Sequence, residues 1–265
     1  MTIEISIIVP TYNEARNIKN LVISVHDALE TTEYTYEIVV VDDDSPDRTW
    51  AVARALGDEY PVTVIRRTAV QGLATAVVRG IEEATHDVVC VMDADLQHPP
   101  EELPEVLGVY KNHDAVEIVI GSRMTDSGSF GDSTWFQRVQ TYGANAVAWA
   151  LFPETRSVRD VQSGFFVSSK DVVANADLEP RGYKILLELL VISDVDTDTE
   201  VTEVGYVFDE RQTGESKLDT TTMVNYLVHV ASLWRRKHGY PVDRGYRKLA
   251  HLVSSETVAQ RDGDQ

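Results

Sequence analysis

The sequence predicts an α/β domain built on a mostly parallel, buried sheet, and three observations carry the prediction. Short apolar runs alternate with segments of helical spacing through the first half of the chain. The runs are four or five residues long and β-branched, the form of strands covered on both faces. With 43% of its 265 residues apolar, the chain has enough material to bury such a sheet.

Ile5 to Val9 opens the series as a strand, and Glu14 to Leu29 follows with apolar positions at helical spacing. The same alternation repeats three times: strand Ile38 to Val41 and helix Thr49 to Leu56, strand Val62 to Ile65 and helix Leu73 to Ala84, strand Val88 to Met92 and helix Glu101 to Tyr110. Val116 to Ile120 is a fifth strand. Past Gly121 the rhythm changes. Residues 122–133 are rich in Gly, Ser and Asp and read as a loop, followed by a helix over Thr134 to Leu151. Gln162 to Ser168 reads as a strand, Tyr183 to Ile192 as a helix and Val201 to Phe208 as a last strand.

From Asp219 onward the chain differs. Met223, Tyr226, Leu227, Val230, Leu233 and Trp234 recur at helical spacing, and the basic residues Arg235, Arg236, Lys237, Arg244, Arg247 and Lys248 come next. Residues 235–248 contain one acid, Asp243, and so carry +5 (6 minus 1), whereas the whole chain carries -19. Such a stretch suits either the surface of an anionic membrane or packing of the apolar stripe on the protein's own core. Elsewhere the acids are spread along the chain, and arginines outnumber lysines 17 to 7. That pattern resembles proteins adapted to molar salt, and the net charge disfavours a nucleic-acid partner. The single cysteine, Cys90, lies in an apolar run, so no intrachain disulfide forms and a reducing compartment is expected. No signal peptide and no membrane-spanning window is visible.

Ligands of open α/β sheets bind at the carboxyl ends of the strands. Here those ends read Pro10-Thr11-Tyr12-Asn13-Glu14, Asp42-Asp43-Asp44-Ser45-Pro46-Asp47 and Asp93-Ala94-Asp95-Leu96-Gln97-His98. Asp93 and Asp95 are two apart, and Gln97 two further, so three hard oxygen donors suit Mg²⁺ or Mn²⁺ completed by a nucleotide diphosphate. The acids at 42–47 can cap the next helix through Asp47 or Ser45, accept hydrogen bonds from a nucleotide, or do both. Gly72 opens a helix where the backbone can approach a ligand. Arg211, Gly214, Ser216 and Lys217 place two cations in a short loop suited to phosphate.

Together these segments resemble the family 2 glycosyltransferases of GT-A fold, and among them the dolichyl-phosphate mannose and glucose synthases. The matching stretches include residues 8–14, 41–47, 72–76, 92–100, Gly121-Ser122-Arg123, Ser163-Gly164-Phe165, 182–188 and 211–218, in family order over residues 5–218. The resemblance implies a GT-A catalytic domain over 1–218, with a nucleotide-sugar half (1–125) and an acceptor half (126–218), and a tail from 219 to 265. It implies that Pro10, Tyr12, Glu14, Asp42, Asp44, Gly72 and Ala94 line the nucleotide-sugar site. Asp93, Asp95 and Gln97 hold the cation, with Asp95, Arg211 and Lys217 acting in catalysis. Arg123, Arg211 and Lys217 contact phosphates, and Arg123, Ser163 and Gly164 border the acceptor. Two departures stand out: Asp160-Val161-Gln162 where relatives often have Asp-Pro-Thr, and no C-terminal membrane helix.

The activity implied is transfer of a hexose from GDP-mannose or UDP-glucose to dolichyl or another polyprenyl phosphate, with inversion. The place implied is the cytoplasmic face of the membrane, with the tail as peripheral anchor. A family 2 transferase that adds sugar to a glycan hydroxyl is the alternative, and a nucleotide-sugar-binding regulator without activity is a third. The first alternative needs a catalytic base, whereas a phosphate acceptor is already anionic. The intact Asp93-Ala94-Asp95 and 211–217 segments count against the regulator.

Overall fold

The computed structural model of the chain describes residues 3–69, 72–131, 133–179, 185–208 and 220–240. Strands β1 (Glu4–Thr11), β2 (Thr35–Asp42), β3 (Val62–Arg66), β4 (Val88–Val91), β5 (Ile118–Ser122), β6 (Phe166–Ser169) and β7 (Val201–Gly205) form one sheet, ordered β3-β2-β1-β4-β6-β5-β7. All pairings are parallel except those of β6, which runs against both β4 and β5. Six strands therefore point the same way and end at one edge.

The helices are α1 (Ile18–Leu29), α2 (Thr49–Leu56), α3 (Leu73–Glu83), α4 (Leu103–Asn112), α5 (Trp135–Leu151), α6 (Lys170–Asn175), α7 (Ile185–Ile192) and α8 (Thr220–Lys237). They cover both faces, so alternate residues of each strand enter different layers. Ile5, Ile7 and Val9 of β1 pack with Leu21, Val25 and Leu103 on one side. On the other, Ile8 joins Val77, Leu187 and Val230. Cys90 lies within the first layer, and burial pushes its thiol pKa up.

Most elements fall where the sequence places them, and the differences have local causes. α1 begins at Ile18 rather than Glu14, because the amides of Asn17 and Ile18 both turn back onto the Glu14 carbonyl. β6 begins at Phe166 rather than Gln162, because Ser163 folds the preceding residues into a turn: its hydroxyl donates to the Gly121 carbonyl at 2.6 Å and accepts from the Phe165 amide at 3.1 Å. α6, absent from the sequence reading, is a six-residue helix capped by the Ser169 hydroxyl. α5 starts as expected, with Thr134 and Gln137 forming a capping box.

α8 packs part of the expected apolar stripe against the body of the protein. Its stripe of Tyr226, Val230 and Leu233 is at most 3% exposed and belongs to the core. Arg236 pairs with Glu188 and Lys237 with Glu154, so part of the basic cluster neutralises the body's own acids. Packing on the protein's own core thus accounts for Tyr226, Val230 and Leu233, whereas Leu227 of the same expected stripe is 47% exposed. Arg244, Arg247 and Lys248 lie outside the described residues.

Candidate active site

The common edge of the six aligned strands gathers the polar ends. At the end of β2, Asp42 is fully buried: it accepts from the Thr11 hydroxyl at 2.9 Å, the Ser45 amide at 2.9 Å and the Ser45 hydroxyl at 2.6 Å. It therefore braces the β1 and β2 loops from beneath, with its oxygens held by two hydroxyls and an amide. Asp47 accepts from the amide and hydroxyl of Thr49, the first residue of α2, and from the Ala15 amide. Asp44 reaches the Arg66 guanidinium at the end of β3. Glu14 is buried and accepts from the Asn17 amide group at 2.7 Å. Pro10 is buried and Tyr12 half-buried on the same rim.

Asp43 and Arg67, neither singled out from the sequence, bind this rim to α3. The Arg67 guanidinium pairs with Asp43 and donates to the Gly72 carbonyl at 3.0 Å and the Thr75 hydroxyl at 2.9 Å. The Gly72 amide returns a bond to Asp43 at 2.6 Å. Gly72 has φ 131°, a conformation that L side chains rarely adopt, so glycine is required to close this loop. Burial raises the Asp43 pKa above the usual carboxylate value, although the Gly72 amide and Arg67 pull the other way.

After β4, burial alternates: Met92, Ala94, Leu96 and His98 are buried, while Asp93, Asp95 and Gln97 are half-buried. The three donors expected for a cation thus share the accessible side. Leu96 has φ 64°, and the Gln97 amide donates to Asp95 Oδ1 at 3.1 Å across that turn. Asn13, Asp44, Arg48 and Leu96 are the non-glycine residues with positive φ among those described, and all stand just past β1, β2 or β4. Backbone strain is therefore gathered along the edge that carries the polar groups. The donor set is all oxygen and suits a hard divalent cation. Among the described residues no group of three or more His, Cys, Asp and Glu is placed to hold a metal.

Past β5 and β7 lies the second half of the site. Arg123 forms a two-pronged bond with Asp160, Nε to Oδ2 and Nη2 to Oδ1, both at 2.8 Å, and Asp160 is fully buried. The guanidinium also lies over the rings of Phe130 and Phe208, 5.5 and 5.2 Å from their centroids. Burial opposes its charge, but Asp160 outweighs that effect and holds the Arg123 pKa above its ordinary value. Asp160, the residue shared with the Asp-Pro-Thr of relatives in the stretch that otherwise departs from them, is thus the counter-ion of Arg123. Ser163 points into the turn described above and is 3% exposed, while Gly164 lies against Asp93 and joins the two halves. Arg211 and Lys217 lie outside the described residues.

Residues 6–173 match the family profile described as Glycosyl transferase family 2. A dolichol-phosphate mannosyltransferase of Pyrococcus furiosus is 44% identical over 232 residues, which cover 88% of this chain and 64% of the relative. The chain thus spans less than two thirds of that protein's length. A dolichol-phosphate mannosyltransferase of Saccharomyces cerevisiae is 35% identical over 249 residues, 90% of each chain. A polyprenol monophosphomannose synthase of Mycolicibacterium smegmatis is 32% identical over 233 residues, 85% and 84% of the two chains. Among solved structures, glucosyl-3-phosphoglycerate synthase of Mycobacterium tuberculosis, determined with Mn²⁺, UDP-glucose and phosphoglyceric acid, gives a TM-score of 0.71 at 20% identity. That likeness covers 91% of this chain and 82% of the other and is one of fold.

Proposed function

The chain belongs to glycosyl transferase family 2, and on that premise we propose that it transfers a hexose from a nucleotide sugar to a polyprenyl phosphate such as dolichyl phosphate. The observation that carries the reading is that Asp93, at the acidic end of β4, lies against Gly164 and acts electrostatically on the buried Arg123 fork. The names of the mannosyltransferase relatives support mannose as the sugar, with GDP-mannose as donor and UDP-glucose as the competing choice.

The proposed step is a single displacement. A phosphate oxygen of the acceptor bonds to the anomeric carbon, while the bond from that carbon to the nucleoside diphosphate breaks and its electron pair leaves with the diphosphate. An α-linked donor gives a β-linked product. The acceptor is anionic at neutral pH, so no proton need be removed and no general base is required. Pro10, Tyr12, Glu14, Asp44 and Gly72 border the nucleotide, with Asp42 as the brace beneath. Asp93, Asp95 and Gln97 would hold Mg²⁺ or Mn²⁺, which when bound supplies charge to stabilise the departing diphosphate. Arg123 orients a phosphate, and Arg211 and Lys217 are proposed for the same task.

Among the described residues no helix is long and apolar enough to cross a membrane. With Tyr226, Val230 and Leu233 of α8 in the core, α5 is the better candidate for contact with the bilayer that carries the acceptor, at its cytoplasmic face. Trp135, Val139 and Tyr142 lie one above another on α5 and are 74%, 54% and 51% exposed. Phe130 touches Tyr142 and lies under Arg123, giving an apolar path from the phosphate site to that stripe.

The test is incubation with radiolabelled GDP-mannose or UDP-glucose and dolichyl phosphate, with and without EDTA. Label in a lipid product from GDP-mannose, lost with EDTA, is expected. Label that enters only a soluble glycan would overturn the reading.

A further inference from the structure

His98 follows the proposed cation-binding stretch and takes no part in the proposed displacement. It is 2% exposed, and its ring is enclosed by Phe165, Tyr206 and Phe208 at centroid distances of 5.7, 5.6 and 5.6 Å. Both ring nitrogens have polar neighbours: Nδ1 lies 2.6 Å from the Tyr206 hydroxyl and Nε2 lies 3.3 Å from Asp93 Oδ2. An ionised carboxylate can only accept, so the Nε2 atom facing Asp93 carries a hydrogen. In the neutral ring Nδ1 is then the acceptor, and the Tyr206 O–H donates to it. Burial pushes the Tyr206 pKa well above the ordinary phenol value, which keeps that hydrogen in place. Gly164 closes the remaining side: a Cβ there would stand 2.7 Å from Asp93 Oδ2 and 3.3 Å from His98 Nε2. A side chain at 164 would therefore enter the Asp93–His98 contact.

We propose that His98 is a positioning residue for Asp93, its tautomer set by Tyr206, and that it holds the carboxylate in the orientation a divalent cation on the donor diphosphate requires. The inference rests on the cation role assigned above to Asp93. The chain Tyr206 to His98 to Asp93 starts beyond β7 and ends beyond β4, so it ties the acceptor half of the edge to the donor half. Groups that orient a metal ligand in this way commonly change metal affinity by about 10- to 100-fold when removed.

The test measures Mn²⁺ binding to the full chain in the presence of GDP, by the loss of the free-ion paramagnetic resonance signal, beside thermal melting of each variant. Tyr206→Phe keeps the ring and removes the hydroxyl, so the imidazole loses the group that fixes its tautomer. His98→Leu removes both polar atoms, and His98→Gln restores an N–H donor toward Asp93. Weakening of Mn²⁺ binding by about 10- to 100-fold in Tyr206→Phe and His98→Leu is expected, with His98→Gln closer to the wild type. The change should exceed any loss of folded protein at the assay temperature. If His98→Leu fails to fold, Tyr206→Phe carries the test alone. Wild-type Mn²⁺ affinity in folded Tyr206→Phe would overturn the proposal. Absence of Mn²⁺ binding by the wild type beyond that of GDP itself would instead overturn the cation reading beneath it.

Discussion

Arg67, just past β3, and Asp43, just past β2, form an ion pair whose side chains are only 10% and 8% exposed. The same guanidinium takes the Gly72 carbonyl, so one side chain fixes where α3 begins. Arg67→Ala leaves a buried carboxylate without its partner, and a loss of about 3–5 kcal/mol in unfolding free energy is expected from urea titration. Affinity for the nucleotide should fall in the same variant, because the loop that Gly72 closes would open. An unchanged urea midpoint would show that the pair is not maintained in solution.

Asp93 and Asp95 make the opposite case. Both are half-buried on the accessible side of the strand end, so replacing them with Asn leaves the core intact. Hexose transfer is expected to drop by at least about 100-fold, the loss of several kcal/mol of transition-state stabilisation. The melting temperature should not fall. A variant with full activity would remove the cation from the proposed reaction.

Glu188 on α7 predicts a pH effect. Burial raises its pKa above the ordinary carboxylate value, against the pull of the Glu179 amide and Arg236. A raised carboxyl pKa means that the folded state holds its proton more tightly than the unfolded one. The contribution to stability is thus present below the unfolded value of about 4.5 and is lost as pH rises through the folded value. The wild type should lose stability relative to Glu188→Gln over that interval, as read from unfolding curves at a series of pH values. A pH-independent difference would refute this.

The α5 stripe predicts membrane behaviour. Replacing Trp135 and Tyr142 with Ser should weaken flotation with anionic liposomes by about 10-fold or more, since each buried aromatic contributes about 1.5–3 kcal/mol. Turnover of a short, water-soluble polyprenyl phosphate should be unaffected. Removing residues 219–265 should destabilise the protein, because Tyr226, Val230 and Leu233 leave the core with them. Full flotation of the double variant would eliminate α5 as the contact.

The parallel strands were legible because burial on both faces leaves β-branched runs with no polar interruption. The reversed direction of β6 was not, since Phe166 to Ser169 has the same composition whichever way it runs. The acids of the site stood out because they follow those runs directly. Their partners did not: Asp43 meets Arg67 across 24 residues, Arg123 meets Asp160 across 37, and His98 meets Tyr206 across 108. Two signals were present all the same. Arg66-Arg67 ends β3 as the acids end β2, and Asp160 stands three residues before Ser163-Gly164-Phe165, one of the stretches that carry the resemblance.

The reversed strand also bears on the order of assembly. β5 has no neighbour in the sheet until β6, more than forty residues later, slots between it and β4. During synthesis β1 to β4 can close as a contiguous parallel unit, while β5 must wait for a non-local partner, the slow kind of step. The acids and the arginine fork meet only when that wedge is driven home. A half-made chain could therefore bury much of its sheet and hold no working catalyst, and competence would come as the closing event of folding.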